Sequence, residues 1–363
     1  TGFVLRIPSE TGIQFTNQLS LARSLTNQIL LNGSGVAAGD VNGDGRCDLY
    51  FCGLDAPNVL YLNRGEWRFE PAPHGSAVAC PDQASTGAAF ADVDGDGDLD
   101  LLVHAIDRGP RVFLNDSSGR FTEVTERSGL GQAAGGMSFA LADVDGNGTV
   151  DLYAVNYRRT TMRDEPEKRF RVGVTNGVYQ LQAVDQHPAT APGVAHRYTV
   201  DPVAGVLENG EADVLYLNDG QGRFRSVEWS AAFRTETGDP APPPYDWGLS
   251  ALFHDLNHDG APDLYVCNDF QSPDRLWIND GHGRFQAVAR AAVRQTSLFS
   301  MGVDVADVDR DGGDDLFVVD MLSRDHAQRQ VQVMELAPVT ASDPGANDRP
   351  QTSRNTLLRS RKD

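Results

Sequence analysis

At 363 residues, 40% hydrophobic and 8% aromatic, with 37 glycines and 19 prolines, the chain is too apolar to stay disordered. It has enough turn formers to imply many short strands. A formal net charge of −20 argues against nucleic-acid binding, which needs clustered lysine and arginine, and no run of 18 apolar residues offers a membrane span.

A chain that opens at Thr1 without methionine and stops at Asp363 in a strand-like stretch is expected to be a piece of a longer protein, so nothing follows from the lack of a leader. Gly12–Thr16 reads as an outer strand. From residue 35 onward one unit recurs. Its first strand places tiny residues on one face (Gly35/Ala37/Gly39, then Gly87/Ala89/Ala91 and Ser138/Ala140/Ala142) and larger apolar ones on the other. Period-two alternation marks a strand, and a face of tiny residues marks one pressed against crowded backbone, as at the axis of a propeller. An acidic loop follows, then an apolar strand such as Asp48-Leu-Tyr-Phe, a third strand such as Asn58-Val-Leu-Tyr-Leu-Asn63, and a fourth near Phe69, Phe121, Phe224 or Phe285.

The loops start at 40, 92, 143, 255 and 307, and one interval is about twice the others. Only one third strand, 213–218, lies within that interval, which therefore holds one unit with an insertion at 156–212. A second insertion is expected at 320–354. The fold class expected is all-β: a propeller of four-stranded blades with five repeats visible, residues 1–363 forming one propeller or part of one.

Each loop sets candidate oxygen ligands at positions 1, 3, 5, 7 and 9. In the first these are Asp40, Asn42, Asp44, Arg46 and Asp48; in the second Asp92, Asp94, Asp96, Asp98 and Asp100. The third offers Asp143, Asp145, Asn147, Thr149 and Asp151, the fourth Asp255, Asn257, Asp259, Ala261 and Asp263, and the fifth Asp307, Asp309, Asp311, Gly313 and Asp315. Position 7 would ligate through its carbonyl and position 9 through both carboxylate oxygens, while Gly at position 6 permits the reversal. Calcium takes six to eight such hard oxygens in a flexible shell, whereas magnesium demands a tight octahedron. About five Ca²⁺ would cancel half of the formal charge. An EF-hand is excluded because position 12 is apolar (Phe51, Val103, Ala154, Val266, Val318) and the flanks are strands.

With these loops, the sequence resembles the FG-GAP or VCBS repeat family, the propeller unit also seen in integrin α-subunits. The stretches Tyr245-Asp-Trp-Gly-Leu-Ser-Ala-Leu-Phe-His-Asp255 and Asp263-Leu-Tyr-Val-Cys-Asn-Asp-Phe270, with Ser300–Asp307 and Val319-Asp-Met-Leu-Ser323, resemble the bacterial ASPIC/UnbV group, which is related to cartilage acidic protein. The resemblance implies an extracellular, calcium-binding propeller, seven-bladed when intact, often followed by a small C-terminal domain.

The loops between second and third strands emerge opposite the acidic loops, and two of them are long. Long loops on a rigid scaffold are where function concentrates. Asn156, Tyr157, Arg158, Asn268, Asp269 and Asp320 fall at equivalent strand exits and are the candidate ligand-binding residues. The stretch Arg158–Arg171 carries six basic and three acidic residues, a local surplus that suits an anionic partner. Cys52 and Cys80 map to one blade end, where a disulfide is one option. No HExxH, GxSxG or Cys/His constellation is present, so catalytic residues are not assigned. The expected function is a secreted recognition or adhesion module for a protein or glycan, with structural calcium. The alternative is a polysaccharide-lyase-like enzyme acting on the loop face.

Overall fold

The computed structural model describes residues 2–270, 272–323, 325–334 and 349–360. Five antiparallel sheets follow one another along the chain. The first is Val36–Gly39, Asp48–Phe51, Val59–Asn63 and Phe69–Pro71; the second is Ala84–Ala91, Asp100–Ile106, Arg111–Leu114 and Thr122–Glu123. The third joins Gly136–Ala142 and Asp151–Asn156 to Val214–Asn218 and Phe224–Ser226. The fourth is Gly248–His254, Asp263–Asn268, Arg275–Asn279 and Phe285–Ala287, extended by Phe233–Arg234 running parallel at its edge. The fifth comprises Ser300–Ala306, Asp315–Asp320 and Thr356–Leu358.

The cores lie between sheets. Tyr50, Leu60 and Leu62 of the first pack on Leu101, Val103 and Phe113 of the second, together with Cys52 and Cys80, both buried free thiols. Leu102 and Val112 turn the other way, onto Leu152, Ala154 and Tyr216 of the third sheet. Tyr153, Val155 and Leu215 then meet Leu264, Val266 and Trp277 of the fourth, and Tyr265 and Cys267 meet Leu316 and Val318 of the fifth. Central strands covered on both faces need apolar residues at successive positions, which explains the continuous run Asp100-Leu-Leu-Val-His-Ala-Ile106. The aromatic of each fourth strand fills the seam with the preceding sheet, as Phe121, Phe224 and Phe285 do in the three clusters.

First strands of successive sheets lie against one another, and the tiny residues stand at that contact. A Cβ on Gly35 would sit 3.0 Å from the Cα of Gly87, and one on Gly87 would sit 2.4 Å from the Met137 carbonyl oxygen. Gly87→Ala is therefore expected to force the second and third sheets apart and cost about 1–3 kcal/mol. The check is a lowered urea midpoint with unchanged slope.

The fifth sheet ends the series. Phe317 on its second strand is 43% exposed, whereas the equivalent Tyr50, Leu102, Tyr153 and Tyr265 are at most 1% exposed beneath a following sheet. A cavity of about 1160 Å³ between the fourth and fifth sheets, lined by Leu276, Ile278, Val288, Leu316 and Leu358, lies in the seam that a fourth-strand aromatic fills elsewhere. The array of described sheets is open.

Between the second and third strands of the third sheet the chain builds a three-stranded sheet (Phe170–Thr175, Val178–Val184, His187–Pro188) and a hairpin (Tyr198–Asp201, Gly205–Glu208). Of the other long loop, 320–354, residues 324 and 335–348 lie outside the described set, and a helix spans His326–Met334. Gly12–Thr16 forms no strand; Phe15 instead stacks on Phe51 at 5.2 Å between ring centroids, and the Gln14 N–H donates to the Tyr61 hydroxyl.

Candidate metal centres and the opposite loop end

All five acidic loops adopt one hydrogen-bond pattern. The position-1 carboxylate accepts the position-6 amide, as Asp40 Oδ2 does from Gly45 N–H at 2.7 Å and Asp307 Oδ2 from Gly312 N–H at 2.9 Å. Position 5 accepts the position-7 amide: Asp44 from Arg46, Asp96 from Asp98, Asn147 from Thr149, Asp259 from Ala261 and Asp311 from Gly313, all at 2.8–3.1 Å. Position 3 accepts from position 5 in four loops, through Asn42, Asp145, Asn257 and Asp309. Gly at position 6 has φ of 80–92°. Position 4 is left-handed as well, which the sequence signals by Gly43, Gly95 and Gly146; His258 and Arg310 hold the same conformation with a side chain.

Position 9 has a second task. Asp48, Asp100, Asp151, Asp263 and Asp315 are buried. In each, Oδ2 accepts the position-2 amide (Val41, Val93, Val144, Leu256, Val308) at 2.9–3.2 Å. Oδ1 accepts an amide from the end of the third strand (Asn63, Asn115, Asn218, Asn279, Ser360) at 2.7–2.9 Å. The residue ties the loop to its sheet, and ligation would use the lone pairs left over. Those asparagines also reach the preceding sheet. Asn115 Nδ2 donates to the Val41 carbonyl at 2.8 Å, Asn218 to Val93 at 2.8 Å and Asn279 to Val144 at 2.9 Å.

The donor set fits a hard divalent cation. Carboxylate oxygens of Asp92, Asp94 and Asp96, of Asp143, Asp145 and Asp151, and of Asp307, Asp309 and Asp311 converge within 4.8 Å of one another, a span that Ca–O distances of about 2.3–2.6 Å accommodate. Asp94 Oδ1 and Asp98 Oδ1 are buried without a hydrogen-bond partner, and of the two Asp94 belongs to the converging set. Burial, opposed by the amides of Asn115 and Val93 and reinforced by Asp94 and Asp98, pushes Asp100 up to about 7; burial also brings Asp151 and Asp263 to about 6. In the fifth loop Arg359 forms ion pairs with Asp309 and Asp311.

At the other end, the six candidate ligand residues are each bonded to other protein groups. The Tyr157 hydroxyl donates to Asp269 Oδ2 at 2.8 Å, and its ring packs on Trp247 and Phe270. The amides of Asn156 and Asn268 donate to Asp213 and Asp274, and their side chains to the Ala212 and Pro273 carbonyls. Arg158 is buried, bonded to the Asn209 carbonyl and 3.5 Å from Glu208. Asp320 accepts the Ser297 hydroxyl and donates its amide to Asn355. Ile29 and Leu30, with Leu19, cover this end, packing with Leu54, Ile106, Met137, Tyr157 and Trp247.

The residues beneath form a column that the sequence reading did not assign. At the start of the third strand Asn58, Asp213 and Asp274 each accept the amide that ends the second strand, from Gly53, Asn156 and Asn268. Each also bonds a buried tyrosine hydroxyl, of Tyr50, Tyr153 and Tyr265. The second unit has Leu102 opposite Pro110, so tyrosine and its partner are absent together. In the fifth unit Phe317 replaces the tyrosine, while Asn355 still accepts the amide that ends the second strand, from Asp320. Burial pushes Asp213 and Asp274 up to about 7 and Asp269 to about 6. Each accepts hydrogen bonds from internal donors.

Comparison with known proteins gives FG-GAP-like repeats at residues 40–103, 92–154 and 255–318. Human cartilage acidic protein 1 is 24% identical over 267 residues, covering 65% of this chain and 39% of the human protein. The Xenopus tropicalis protein of that name is 25% identical over 322 residues, covering 76% of this chain and 46% of its own length. The chain thus spans under half the length of these relatives. Among solved structures, a Burkholderia pseudomallei lectin, BP39L, aligns at TM-score 0.37 and 14% identity over 79% of this chain and 78% of the lectin. An Agrocybe aegerita lectin that recognises non-reducing terminal N-acetylglucosamine aligns at 0.33 and 20%, over 77% and 73%.

Proposed function

Because this chain is built from FG-GAP-like repeats, which imply a β-propeller, we propose that it is an extracellular calcium-binding propeller that recognises a protein or glycan. The calcium stiffens its hairpins, and the intact ring has seven blades. The observation that carries the metal reading is the recurrence of one loop geometry five times, with unsatisfied Asp94 and Asp98 oxygens in the second copy. Bound calcium would supply charge neutralisation and a rigid bend. The chain's own residues do the rest: position-1 and position-5 oxygens hold the turn, and position 9 fastens it to the third strand. The uncovered Phe317 face and the seam cavity support further blades. The extracellular assignment draws on the similarity to cartilage acidic protein 1.

Isothermal titration with calcium is the direct test. Four to five sites are expected, with Asp94→Ala removing one site while the circular dichroism spectrum holds; heat-free titration would end the metal reading. A glycan and protein array tests recognition. New unsaturated ends released from a uronic-acid polysaccharide would replace the binding role with catalysis.

A further inference from the structure

The insertion in the third unit carries an edge strand, Phe170–Thr175, at the outside of its small sheet. Its hairpin closes through Asn176 and Gly177, both with positive φ, as a two-residue turn requires. Register then fixes the direction of every backbone group. Thr175 faces Val178 and Gly173 faces Gln180 as hydrogen-bonded pairs, so Val174 opposite Tyr179 and Val172 opposite Leu181 send their N–H and C=O outward. No backbone partner meets those groups among the described residues. Val172, Val174 and Tyr179 are exposed on one face of the hairpin. Such an edge is a template for an added strand unless charge blunts it.

Here the charge selects rather than blocks. Of the basic residues between 158 and 171, Arg158 is buried, Arg159 pairs with Glu211 and Lys168 with Glu165. Arg163, Arg169 and Arg171 are exposed, and no ion pair is seen for them among the described residues. In a chain of net charge −20, the two guanidiniums at the start of the open strand, Arg169 and Arg171, repel a second copy of the same edge and attract carboxylates. We propose that this edge binds an acidic, extended peptide as an additional antiparallel strand: backbone bonds to Val172 and Val174, carboxylates on Arg169 and Arg171, and β-branched side chains on the Val172/Val174/Tyr179 face. The proposal rests on the recognition reading only for placing its partner at the loop end.

The test uses the full chain with an immobilised peptide of about eight alternating Glu and Val residues, a typical strand length, and a Lys/Val peptide as control. Binding to the Glu/Val peptide alone is expected, with amide exchange slowed at Val172 and Val174. Val174→Pro deletes an outward donor at an edge position that tolerates proline and is expected to abolish binding. Arg169→Glu with Arg171→Glu should weaken it at least about tenfold. Equal binding of the Lys/Val peptide, indifference to Val174→Pro, no binding, or a dimer sealed through this strand would each overturn it. A glycan captured on the array and unaffected by Val174→Pro would sink this proposal and leave the recognition reading standing.

Discussion

Removing divalent cations with EGTA is expected to lower the melting temperature by more than about 10 °C at pH 7.5. A cation that binds only the folded chain stabilises it by mass action, about 4 kcal/mol per site at a thousandfold excess over Kd. Even one such site moves a domain of this size by several degrees. Acidity should change the two states in opposite directions. In the metal-free fold, burial holds Asp100 near 7 and Asp151 and Asp263 near 6, against about 3.9 when unfolded. The fold therefore binds protons that the unfolded chain does not, and metal-free stability rises as pH falls from about 7 to 4. Cation binding needs the same carboxylates ionised, so the calcium increment shrinks over that window. Melting curves with and without EGTA should lie furthest apart above pH 7 and converge toward pH 5. A pH-independent gap, or none, would contradict the metal assignment.

Truncating Asp274 should be the most damaging single change away from the loops. Its carboxyl accepts the Tyr265 hydroxyl, the Ser300 hydroxyl and the Asn268 amide, all buried. Asp274→Ala strands three donors and is expected to cost about 3–5 kcal/mol in chemical denaturation. Asp274→Asn should cost no more than about 1 kcal/mol, because Asn58 performs the same task in the first unit beside Tyr50. The pH slope separates the two. Burial raises the Asp274 pKa to about 7, so wild-type stability declines as pH climbs from about 4 to 7 and is level above. The asparagine variant should lose that part of the decline, and an unaltered slope would show that Asp274 does not titrate in this range.

The acidic loops were legible because each is a local matter: nine consecutive residues whose side chains bond their own backbone, so spacing alone displays the geometry. The first strands were legible for a related reason, since Gly87 and Ser138 reveal crowding by being small. The far end was legible only in part. Repeat alignment brings Tyr157 and Asp269 to equivalent exits, and they do meet, but nothing in the repeat foretold that Ile29 and Leu30 would cover them. Those residues lie in a segment with no counterpart in any unit. The bond between Tyr153 and Asp213 spans 60 positions, and the repeat marks it only loosely, since the fifth unit keeps Asn355 at the acceptor position with Phe317 in place of the tyrosine. Position 9 illustrates a further limit: spacing suggests an oxygen ligand, while its Oδ2 also holds the position-2 amide and its Oδ1 fastens the loop to the third strand.

The asparagine contacts from one sheet to the preceding loop give the molecule a polarity. Asn115, Asn218 and Asn279 each reach backward by one unit, whereas the fifth carries Ser360 at that place. Each acidic bend is thus tied to the sheet that follows it, like a row of links each hooked onto its predecessor. These ties span three junctions and stop before the last, where the fifth sheet is held instead by the packing of Tyr265 and Cys267 on Leu316 and Val318 and by the Ser300–Asp274 hydrogen bond.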